Sequence, residues 1–81
     1  MNETTQVCAP FAGVVHYEVA AGAEVETGQP IAVVEAVKLE APVVAPCPGT
    51  VVKREAEDFD NVEGGQLLAT IALATTAPKE N

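Results

Sequence analysis

Apolar residues fall in short runs separated by turn-forming residues. Val14-Val15, Ile31 to Val34, Val43-Val44, Val51-Val52 and Leu67-Leu68 are flanked by Gly, Pro and acidic clusters. This pattern predicts strands near 6–9, 13–19, 30–37, 39–45, 49–54 and 67–72. No stretch carries a helical period, and Pro10, Pro30, Pro42, Pro46 and Pro48 would interrupt any long helix. Pro42, inside a strand run, marks an edge strand.

The strands belong to a repeat. Ala9-Pro10-Phe11-Ala12-Gly13 aligns with Ala45-Pro46-Cys47-Pro48-Gly49, and Val-Val pairs follow both. Further on, Val25-Glu26-Thr27-Gly28-Gln29 aligns with Val62-Glu63-Gly64-Gly65-Gln66. The first pair of blocks is offset by 36 positions and the second by 37, so the second half carries one inserted residue. Gly13 and Gly49 stand at equivalent corners, as do Gly28 and Gly65, where glycine supplies positive φ or close backbone approach. Either half alone would expose an apolar face. Packed about a pseudo-twofold, the two bury one core.

The junction of the halves is Glu35-Ala36-Val37-Lys38-Leu39-Glu40. A short reversal between two strands is a hairpin with its tip in solvent. Lys38 is therefore the one lysine expected on a tight turn between ordered strands. Val37 and Leu39 put apolar surface beside it, which marks a place another protein touches. A turn lysine in a loose ion pair with Glu35 or Glu40 is the plainer alternative.

Composition narrows the function. In 81 residues there is room for one small domain, and with 4% aromatics and no Trp its core is aliphatic. A deep substrate pocket is not expected. Twelve acidic residues against four basic ones give a net charge of −8, the wrong sign for electrostatic binding to nucleic acid or anionic lipid. Met1 to Thr5 show no signal peptide, so a cytoplasmic location is expected. Cys8 and Cys47 are expected as reduced core residues, and with the single His16 they cannot complete a zinc site. His16 is expected to face solvent, and Tyr17 and Phe59 to pack in the core or at its rim. Glu55 to Asp60 is expected to be a solvated acidic turn rather than a calcium loop.

The central frame and the repeated blocks resemble the biotinyl/lipoyl attachment domains over residues 7–72. Biotin members usually read Glu-Ala-Met-Lys-Met-Glu around the modified lysine, and this chain has Val37 and Leu39 in place of the methionines. Lipoyl members usually place Asp before the lysine and Ala after it, so lipoate is the runner-up to biotin. Gly22 is followed by Ala23, and Phe59 replaces the family's glycine before Asp60. The Val19–Glu24 stretch is too short for the thumb of some acetyl-CoA carboxylase carriers.

The resemblance implies an all-β fold: a flattened barrel, or barrel-sandwich hybrid, of two pseudo-symmetric four-stranded halves. It implies biotin in amide linkage to Lys38 at the hairpin tip, flanked by Glu35, Ala36, Val37, Leu39 and Glu40, with the net charge one unit more negative than −8. The chain would then be a non-catalytic, metal-free carrier subunit. Biotin protein ligase would modify it, and it would move carboxyl groups from a biotin carboxylase to a carboxyltransferase, as in acyl-CoA carboxylases of fatty acid biosynthesis or related decarboxylases and transcarboxylases. The domain is expected over 6–73, with a disordered N-terminus at 1–5 and a flexible tail at 74–81, as a free-standing subunit. An unmodified β-sandwich interaction module is the alternative from a different class.

Overall fold

The computed structural model describes residues 3–74, and all regular structure in it is β. Eight strands follow in order: β1 (Thr4–Cys8), β2 (Gly13–Tyr17), β3 (Glu24–Val25), β4 (Pro30–Ala36), β5 (Leu39–Val44), β6 (Gly49–Arg54), β7 (Asn61–Val62) and β8 (Leu67–Leu73). They form two four-stranded antiparallel sheets, ordered β1-β8-β6-β3 and β5-β4-β2-β7. Each sheet takes two strands from each half of the sequence. The pseudo-twofold exchanges the sheets, sending β1 to β5, β2 to β6, β3 to β7 and β4 to β8. β5 is an edge strand, as Pro42 requires.

Backbone hydrogen bonds between the halves explain the repeated blocks. Ala9 N donates to Gln66 O and accepts at its carbonyl from Gly65 N, both at 2.8 Å. Ala45 N donates to Gln29 O at 2.9 Å and its carbonyl accepts from Gly28 N at 2.8 Å. Each Ala-Pro block thus locks onto the Gly-Gln turn of the other half. Gly28 and Gly65 share a φ of +84°, which glycine adopts without a Cβ clash. The turns are closed by Gln29 Oε1 accepting from Glu26 N and Gln66 Oε1 from Glu63 N, at 3.0 and 2.8 Å. Gly13 and Gly49 serve packing instead: a Cβ on either would strike the backbone carbonyl of Glu35 or Ala72.

The inserted residue of the second half is a bulge. β2 pairs with β4 without interruption, whereas the β6–β8 register shifts between Val51 and Lys53, leaving the exposed Val52 as the extra residue. One core fills the space between the sheets, with Val15, Ile31, Val34, Val51, Leu68 and Ile71 fully buried. Each such side chain stabilises the fold by about 1.5–3 kcal/mol through burial.

Four expectations need correction. Thr4 and Thr5, assigned to a disordered N-terminus, are strand and pair with Ala72 and Ile71. Residues 1–2 and 75–81 of the two expected end segments lie outside the described residues. β3 and β7 were not foreseen. Cys8 is exposed rather than core, because alternation along β1 turns Val7 inward and Cys8 outward; Cys47 is half-buried, and both thiols are free. Phe59 is exposed, whereas Tyr17 does sit in the core.

Candidate functional site

Glu35 pairs with Glu40 and Ala36 with Leu39, so Val37 and Lys38 form a two-residue tip. Such hairpins usually use turns with positive φ. Here the only non-glycine residue with positive φ among the described residues is Phe59, so both tip residues stay in the ordinary half of conformational space. Val37, being β-branched, could not adopt the left-handed alternative without strain. The tip is fully presented: Val37 is 97% exposed, Leu39 55%, and Lys38 is exposed between them. Among the described residues Lys38 forms no ion pair. A conformationally tight hairpin therefore offers one free amine between two apolar side chains.

The flanking carboxylates interact with each other. Glu35 and Glu40 are direct cross-strand partners, and a side-chain hydrogen bond from Glu35, reinforced by its charge, holds the Glu40 carboxyl above the usual carboxylate range. A shallow groove of about 650 Å3 runs below the tip, where Gly13 and Val14 of β2, Ala36, Val37, Asn61 and Val62 meet. Gly13 and Glu35 both line it, and a Cβ on Gly13 would strike the Glu35 carbonyl.

The remaining sequence candidates have structural roles. Tyr17 Oη donates to Leu68 O at 2.7 Å and accepts from Ala56 N at 3.3 Å. Burial raises its pKa, and the Arg54 guanidinium lies 4.8 Å from the centre of its ring. In the acidic turn, Asp58 Oδ1 accepts from Tyr17 N at 2.7 Å and Asp60 Oδ2 from Glu57 N at 3.0 Å. No set of three or more His, Cys, Asp or Glu side chains among the described residues could hold a metal. His16 faces solvent as expected, stacked at 5.2 Å on Phe59. That stack was not foreseen; Phe59 in a glycine position was its one sequence signal.

A firm two-sheet support that offers a single amine on a hairpin tip has the architecture of an attachment domain. The chain belongs to the biotinyl/lipoyl attachment family, described as "Biotin-requiring enzyme", whose pattern matches residues 4–71. It is 39% identical over 75 residues to pyruvate carboxylase of Aspergillus niger, an alignment that covers 91% of this chain and 6% of that protein. The urea carboxylase of Kluyveromyces lactis superposes with a TM-score of 0.78 and 31% identity, over 85% of this chain and 6% of the other. A single-chain, multi-domain long-chain acyl-CoA carboxylase gives a TM-score of 0.80 at 24% identity, over 88% of this chain and 7% of the other, and so shares the fold. The chain spans about 6% of the length of the curated relatives it matches.

Proposed function

We propose that this chain is the biotin carrier of a biotin-dependent carboxylase, with Lys38 the residue that is biotinylated. The observation that carries the reading is the solvent-exposed amine of Lys38 at the centre of the Glu35–Glu40 hairpin frame, in a chain of this family. The group fits the site. Nζ has no ion pair to surrender among the described residues, and the tip is wide open to a modifying enzyme. Attachment forms one amide bond: the Nζ ammonium gives up two protons, and the biotin carboxyl loses one oxygen, which leaves with AMP as ATP is split into AMP and pyrophosphate. Biotin, once bound, supplies the ureido nitrogen on which a carboxyl group is carried.

This chain's own part is mechanical. The hairpin holds the attachment point at a fixed height above the sheet, and tethering raises the local concentration of the head group at each enzyme it visits. Val37 and Leu39 give a biotin protein ligase, a biotin carboxylase and a carboxyltransferase an apolar surface small enough for transient docking. The pyruvate and urea carboxylases it resembles support a carboxylase, and they differ in the acceptor that they carboxylate.

Intact-mass measurement after incubation with biotin protein ligase, ATP and biotin tests the reading. One biotinyl group located on Lys38 by fragmentation is expected, and Lys38→Arg abolishes it. An unmodified mass sinks the proposal, and a lipoyl group on protein from its native source moves the function to acyl transfer.

A further inference from the structure

The outer face of the β5-β4-β2-β7 sheet carries a second groove, beside the tip. Val14 and His16 of β2, Val33 of β4, Glu40 of β5 and Phe59 of the β6–β7 loop line a volume of about 240 Å3. That is smaller than the roughly 300–1,000 Å3 of drug-sized sites, which suits one small head group. The groove exists because of Phe59. Its φ of 68° is one that L-residues rarely adopt, and Gly22 holds the equivalent place in the other half. The ring does not fill the core, being 68% exposed. It lies instead along His16, whose Nδ1 is 3.4 Å from Asp58 Oδ1, and the same oxygen accepts from Tyr17 N. Phe59 N donates to Val15 O at 2.7 Å, which anchors the loop to β2. Several tethers thus hold an aromatic ring over the outside of the sheet, where it serves no packing purpose.

We propose that this groove is the resting site of the biotinylated Lys38 side chain, an inference that rests on the reading of Lys38 as the biotin acceptor. The reach is right. Val33 lies five residues before Lys38 on a strand that advances about 3.3 Å per residue, so at most about 16.5 Å separates them, and the lining residues Glu35 and Glu40 lie within about 10 Å. An extended biotinyl-lysine spans about 14 Å from Cα to its bicyclic head, at roughly 1.25 Å per bond. The chemistry is right as well. The thioether ring is apolar and meets Val14, Val33 and the Phe59 face, where sulfur–aromatic contact is favourable. The ureido edge carries two N–H donors and one carbonyl acceptor. Glu18, at the far end of the groove, accepts, and so does His16 Nε2, whose ring partner Nδ1 is turned to Asp58. Nearer the tip, the Glu35 and Glu40 carboxyls have no cation partner among the described residues, and one of them can accept from the new amide N–H. The groove is open on its outer side, so an enzyme that binds the head group draws it away without unfolding anything.

The test compares nuclear magnetic resonance spectra of the unmodified and the ligase-biotinylated full chain. Docking shifts the amide signals of His16, Val33 and Phe59 as well as those of residues 35–40. It also gives cross-relaxation between the bicyclic protons and the Phe59 ring. Phe59→Gly, which suits the left-handed backbone and so preserves the fold, abolishes the shifts at His16 and Val33 while Lys38 stays fully biotinylated. His16→Ala weakens them. Changes confined to residues 35–40 in the biotinylated chain overturn the resting site and leave the carrier reading intact. Absence of any biotin adduct by intact mass overturns both.

Discussion

Phe59 and Gly22 occupy the same place in the two halves and both carry positive φ. For an L-residue that conformation costs about 1–2 kcal/mol, which glycine avoids. Phe59→Gly is therefore expected to be more stable than Phe59→Ala by about 1 kcal/mol, the reverse of the usual order, as read from urea midpoints. Equal midpoints would mean that the loop relaxes. Glu40 shows a second local tension. Its carboxyl sits opposite Glu35, and its raised pKa means that the native state holds protons more tightly than the unfolded one. The stabilisation belongs to low pH and is lost as pH rises through the raised pKa. Glu40→Gln should raise the urea midpoint at pH 7, and the gain should close below the ordinary carboxylate range. At this scale the sequence was only partly legible. Lys38 on a tip followed from its place between two strands. The orientation of Phe59 did not, because an aromatic residue beside acidic ones reads as rim packing unless its backbone angle is known.

Among the elements, the strands of five residues or more were visible as short apolar runs, β1 only from Gln6 onward, while β3 and β7 were not. Two residues cannot display an alternation, and both strands exist only because β6 and β2 offer them ladder partners. The offset of one between the repeats announced an insertion, which the structure places as the Val52 bulge. The symmetry also breaks in the core. Tyr17 bonds the carbonyl of Leu68, and its counterpart in β6 is Arg54, which lies over the ring. Leu68 O also accepts from Glu55 N at 2.8 Å, so Tyr17→Phe leaves that carbonyl partnered, but it strips Ala56 N of its acceptor and should cost about 1–3 kcal/mol. The pH dependence is more telling. Burial raises the Tyr17 pKa above 10.0, so its contribution is complete below pH 10 and is lost as pH climbs through the folded value. Stability of the parent chain should fall in that alkaline interval, and that of Tyr17→Phe should fall less, as denaturation midpoints at pH 9 and pH 11 would show.

For the molecule as a whole, the repeat revealed two halves but not their interleaving. Composition cannot say that each sheet borrows two strands from each half, since that depends on which edges meet. Nor could it show the groove beside Phe59, whose walls come from three strands and a loop far apart in sequence. The pseudo-twofold gives a direct test. It maps the Ala36–Leu39 pair onto Leu73 and Glu3, and Leu73 N donates to Glu3 O at 2.9 Å. A permuted chain in which Asn-Gly joins Leu73 to Glu3, opened between Val37 and Lys38, is expected to unfold in one cooperative transition in urea. A broad, non-cooperative transition would show that the native hairpin is needed to align the sheets.

The same pairing of Glu3 with Leu73 governs how the domain would hang from any longer chain. Glu3 and Leu73 lie side by side on one sheet, while the amine-bearing loop belongs to the other. A domain held in this way would hang as a bead on a bight of rope, its two points of attachment next to each other and on the sheet opposite the amine.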